Sequence, residues 1–93
     1  MKNTSAMAEY LKTKRVSSGY TQGDVASKLG YTSAQFVSNW ERGLSLPPIL
    51  TLKKICALYK INQDDMFQHL VDHSVKELKF DLEKKFYKKS KRS

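Results

Sequence analysis

One cysteine, Cys56, leaves the chain without an internal disulfide, which points to a reducing compartment. No stretch approaches the roughly 18 consecutive apolar residues of a membrane span. Met1 to Ser5 also open without the apolar segment of a signal peptide. The expectation is therefore a cytoplasmic protein, neither secreted nor anchored in a membrane. With four glycines and two prolines there is no glycine-rich phosphate loop, and no Ser/His/Asp set has the spacing of a catalytic site. His69 and His73 stand four apart, a spacing that can hold a metal, but no glutamate motif flanks them and Cys56 is remote. They read as partly exposed polar residues, so neither a metal, a cofactor nor catalysis is expected. Ninety-three residues suffice for one modest core and are too few for a deep, enclosed active site.

Acidic residues are scarce as well: nine stand against seventeen lysines and arginines, a net charge of +8. The excess is concentrated. Lys84, Lys85, Lys88, Lys89, Lys91 and Arg92 carry six of these charges with no acid among them, so the remainder of the chain has only +2. The globular part is nearly balanced, and charge alone does not argue for nucleic acid there. The lysine-rich end has three readings: a solubilising tail, an arm tracking phosphates, or the charged end of a dimer helix.

Apolar spacing predicts five helices. The first runs from about Ser5 to Val16, with Met7, Tyr10 and Leu11 inward, and Ser18-Gly19 end it. In the second, Thr21 caps a helix that starts at Gln22 and turns Val25, Ala26 and Leu29 inward. Ala26 sits where another helix must cross closely, and Gly30 can adopt the positive φ that stops the first member of the pair. The third spans 33–42, with Ser33 as a candidate cap, a buried stripe of Val37 and Trp40, and an end at Gly43. Pro48 suits the first turn of a fourth helix with Leu52, Ile55, Cys56 and Tyr59 on one stripe. Asn62 caps a fifth, where Asp64 and Asp65 suit the positive end of the helix.

These features make the sequence resemble the lambda-repressor and Cro-like helix-turn-helix proteins, the XRE family, from about Leu11 to about Phe67. The resemblance rests on Thr21-Gln22, Val25-Ala26, Leu29-Gly30, Trp40-Glu41-Arg42-Gly43, Pro47 with Leu52, and the run from Ile55 to Asn62. It implies a compact, all-α five-helix bundle whose third helix enters the major groove of double-stranded DNA. The stretch from Gly30 to Gly43 is one residue longer than the common family pattern. If Val37 and Trp40 keep their core roles, the extra residue falls in the turn, near Tyr31 or Thr32.

Base-reading candidates on the third helix are Ser33, Ala34, Gln35, Ser38 and Asn39. Gln35 and Asn39 lie four apart on one face, and amide side chains can bond adenine N6 and N7 in a bidentate manner. Ala34 can contact a thymine methyl, and Ser33 serves either DNA or the helix cap. Phosphate candidates are Gln22, Lys28, Arg42 and Ser45, with Gln22 implied by the resemblance; Lys53 and Lys54 read as ordinary solvated charges. Phe36 either packs on Trp40 one turn later or touches the sugar-phosphate rim. The resemblance also implies a structural ion pair between Arg15 and Glu41.

The fifth helix outruns the family pattern. No glycine or proline interrupts the chain between Asn62 and Ser93, and apolar residues recur at steps of three and four. Helical to about Lys88, it would be roughly 39 Å long. Val71, Val75, Leu78 and Leu82 fit a short two-helix seam, parallel or antiparallel, with Lys85 at the next seam position. The alternative is a hinge near Ser74 that folds the segment back on its own bundle. The expected organisation is a DNA-binding domain over 1–70 and a helical extension with basic tail over 71–93. The expected function is a homodimeric, sequence-specific transcriptional repressor. Two alternatives remain: an antitoxin-type autorepressor holding a protein partner through its last helix, and an interaction module that keeps the bundle but does not bind DNA.

Overall fold

The computed structural model describes residues 5–88. Its five helices are α1 (Ala6–Ser17), α2 (Gln22–Leu29), α3 (Gln35–Glu41), α4 (Ile49–Tyr59) and α5 (Gln63–Phe86). The fold is all-α, a helix-turn-helix bundle with a long C-terminal helix.

Local chemistry sets most boundaries. The Ser5 hydroxyl accepts the Ala8 N–H at 3.0 Å and caps α1. Thr21 and Asp24 form a reciprocal capping box on α2: the Asp24 N–H donates to Thr21 Oγ1 at 3.0 Å, and the Thr21 N–H to Asp24 Oδ2 at 2.9 Å. The Thr21 backbone N–H first, and then the Thr21 side chain, hold the Asp24 carboxyl below its ordinary pKa. Gly30 at φ 89° ends α2 in the left-handed region, and the Tyr31 N–H closes the turn on the Ala26 carbonyl at 2.8 Å. Asn62 Oδ1 accepts from both Asp64 and Asp65 N–H groups to start α5.

Three boundaries differ from expectation. The third helix covers 35–41 rather than 33–42, because Ala34 holds the cap position without a side-chain acceptor, and Ser33 stays in the turn with its hydroxyl 3.3 Å from the Gln35 N–H. Pro48 stands just before α4 as its cap (φ −59°, ψ 154°) rather than inside its first turn. The last helix ends at Phe86, two residues before Lys88.

Met7 and Leu11 from α1, Val25 and Ala26 from α2, and Val37 and Trp40 from α3 meet Leu52, Ile55, Cys56 and Tyr59 from α4 in one core. Met66 closes it from α5. α5 is unbroken through Ser74, so the hinge alternative is not adopted. Its first half packs on the bundle; Glu77 still lines a groove with Ser5, Leu44 and Leu46. Beyond that the helix overhangs, which gives the molecule a 53 Å long axis against 28 and 22 Å across. Lys89, Lys91 and Arg92 lie outside the described residues.

Candidate nucleic-acid interface

The placement of α3 depends on one buried carboxylate. Glu41, at its C-terminal end, accepts Arg15 Nε at 2.7 Å on Oε2 and Arg15 Nη2 at 3.0 Å on Oε1. Oε1 also accepts Gln22 Nε2 at 3.0 Å, and Arg15 Nη1 donates to the Tyr20 carbonyl at 2.8 Å. A single side chain therefore ties α1, the start of α2 and the end of α3 together. Hydrogen bonding to Glu41 raises the Arg15 pKa still further, against the opposing effect of burial. Gln22 thus engages Glu41 through its amide, and a phosphate would meet only its second amide N–H or the free first-turn backbone N–H groups of α2.

With Val37, Trp40 and Glu41 buried, the helix presents its opposite side outward. Gln35 is exposed, while Ser38 and Asn39 are half-buried. Gln35 Nε2 donates to Asn39 Oδ1 at 2.9 Å, so the two amides form one unit with an acceptor on Gln35 and donors on Asn39 left outward. Ala34 packs partly against the core, and Ser33 is exposed in the turn.

Phe36 does not rest on Trp40 directly. Tyr31 intervenes: its ring lies 4.8 Å from Phe36 and meets Trp40 edge-on at 5.8 Å, leaving Phe36 52% exposed. The turn thus supplies an aromatic spacer. Sequence reasoning placed the extra residue near Tyr31 without assigning that ring a role; an aromatic pair flanking the turn was the available signal. Lys28 is exposed, with its ammonium 5.5 Å from the Tyr20 ring centroid. Arg42 and Ser45 are exposed where the chain leaves α3. Of the interface candidates on the α2–α3 unit, Lys28, Gln35 and Arg42 are exposed, while Gln22 and Asn39 are half-buried.

A helix-turn-helix family model matches residues 11–63, more than half of the chain. The chain belongs to the helix-turn-helix family. Its type is the XRE one, lambda-repressor and Cro-like, a family of DNA-binding transcription regulators and not of enzymes. No curated protein matches the chain. The helix-turn-helix pair of this family is α2 and α3, and the match ends at the first residue of α5.

Away from that pair, His69 stacks on the Tyr10 ring at 3.7 Å, with Nδ1 2.9 Å from the Asp65 carbonyl oxygen. The Tyr10 hydroxyl donates to Asp65 Oδ2 at 2.5 Å. Sequence reasoning missed this clasp between α1 and α5, which joins residues far apart in the chain. Among the described residues, no helix is long and apolar enough to cross a membrane.

Proposed function

We propose that this XRE-type regulator is a homodimeric repressor that occludes a promoter by reading the major groove with α3. The observation that carries the reading is the coupled Gln35–Asn39 amide pair, held outward while Glu41 locks the opposite side of the same helix to α1 and α2. Gln35, Ser38 and Asn39 meet base edges, each good bidentate amide contact supplying about 1–3 kcal/mol of discrimination. Ser33 and Ala34 approach the groove from the turn. Gln22, Lys28, Arg42, Ser45 and the ring of Phe36 border the sugar-phosphate backbone and set register rather than sequence preference.

Selection from a randomised duplex pool at near-physiological salt tests the reading. An enriched inverted repeat with half-sites about 10 base pairs apart supports it. A folded protein that enriches no sequence overturns it and favours use of α3 on a protein surface.

A further inference from the structure

The distal half of α5 carries an apolar stripe that its own bundle leaves uncovered: Val75, Leu78 and Leu82 are 57%, 59% and 54% exposed, in line with half-buried Val71. We infer that this stripe pairs with the same stripe of a second copy in an antiparallel seam whose two-fold axis passes between residues 76 and 77. The inference rests on the homodimer reading and adds its geometry.

Charge and spacing select this arrangement. In the antiparallel register, Val75 meets the partner's Leu78 and Val71 meets the partner's Leu82; symmetry doubles these into four apolar layers. Gln68 opposite the partner's Lys85 closes each end with a polar layer. Along one flank Asp72 faces the partner's Lys79, twice by symmetry; all four of these side chains are exposed, and Asp72 already accepts Gln68 Nε2 at 3.0 Å on Oδ1. A parallel seam places Asp72 opposite Phe67 and Lys79 opposite Ser74, with no opposite charges paired.

The register also spaces the reading heads. Met66, the α5 residue buried in the bundle core, lies about 16 Å along the helix from the proposed axis. The two bundles are then about 32 Å apart along α5, close to the roughly 34–36 Å between successive major-groove faces of DNA. A parallel seam sets the bundles side by side at one end. The antiparallel contact buries on the order of 600 Å² per copy, toward the lower end for a specific dimer.

Sedimentation equilibrium of the full chain, with and without charge exchange, tests the seam. Asp72→Lys or Lys79→Asp alone raises the dimer dissociation constant about tenfold, since two attractive pairs become repulsive, and the double exchange restores it. Leu78→Glu gives a folded monomer, checked by its thermal midpoint, that still binds a duplex carrying one half-site. A monomeric unmodified chain overturns both the seam and the homodimer reading. A dimer without rescue by the double exchange, or one that survives Leu78→Glu, overturns the seam and leaves the homodimer reading standing.

Discussion

Arg15 and Glu41 meet as a two-pronged pair across α1 and α3, with Nε to Oε2 at 2.7 Å and side chains only 11% and 4% exposed. Every polar atom of the pair that is buried has a hydrogen-bond partner. Such a pair is costly to break from one side, because the remaining charge stays buried without its counterion.

Glu41→Ala is therefore expected to destabilise the domain by about 3–5 kcal/mol, leaving the guanidinium of Arg15 and the amide of Gln22 without their acceptor. Urea denaturation is the check. An unchanged midpoint would show that the pair does not hold α3.

The amide unit on α3 should behave oppositely. Asn39→Ala removes an outward donor and the acceptor of Gln35 while leaving the core untouched. Thermal stability should stay within about 0.5 kcal/mol, and discrimination at one base position should fall by about 1–3 kcal/mol. Repeating the duplex selection with the variant reads this directly; a preserved base preference would remove Asn39 from the reading surface.

Two glycines of the helix-turn-helix unit should respond with opposite sign to alanine. Gly30 has open space where a Cβ would stand but sits at φ +89°, so its substitution costs about 1 kcal/mol through backbone strain. Gly23 lies inside α2, where a Cβ would meet only Thr21 Oγ1 at an ordinary 3.7 Å. Alanine there should stabilise by roughly 0.4–1 kcal/mol. Melting both variants decides the comparison.

Stability should decline in alkali. Burial first, and then the hydrogen bond to Asp65, push the Tyr10 phenol above its ordinary value; burial, followed by the nearby Glu41 charge, does the same for Tyr59. A group whose pKa is raised on folding contributes fully below its unfolded value, near 10, and loses that contribution as pH rises toward the folded value. Unfolding free energies should thus fall progressively above about pH 10. Tyr10→Phe, which keeps the stack on His69 but loses the bond to Asp65, should make that fall shallower.

The stripes of α1, α2, α4 and α5 were legible in the sequence, because each is written in residues three or four apart, such as Leu52 with Ile55, and Thr21 and Asn62 were legible as caps by residue type; the Ser5 cap of α1 and the place of Pro48 before α4 were not. The start of α3 was not. Ser33 is as good a cap as Thr21 by residue type, and only the closing of the turn through Tyr31 and Ala26 moves the cap to Ala34. The candidate interface was readable as a set of polar residues on one helical face. Its link to the rest of the bundle was hidden, since Gln22 reaches Glu41 across nineteen residues, a contact that depends on how α2 and α3 cross.

By itself, then, the sequence determined the all-α class, the helix-turn-helix pair and the long last helix, through short-range periodicity and capping chemistry. Only the tertiary structure decided which of those residues share an environment. It set Tyr31 between Phe36 and Trp40, closed the Tyr10, Asp65 and His69 clasp, and left the Val75, Leu78 and Leu82 stripe facing outward. Those outcomes follow from the angles at which helices pack around a common core, a property of the assembled bundle that no local stretch of chain encodes.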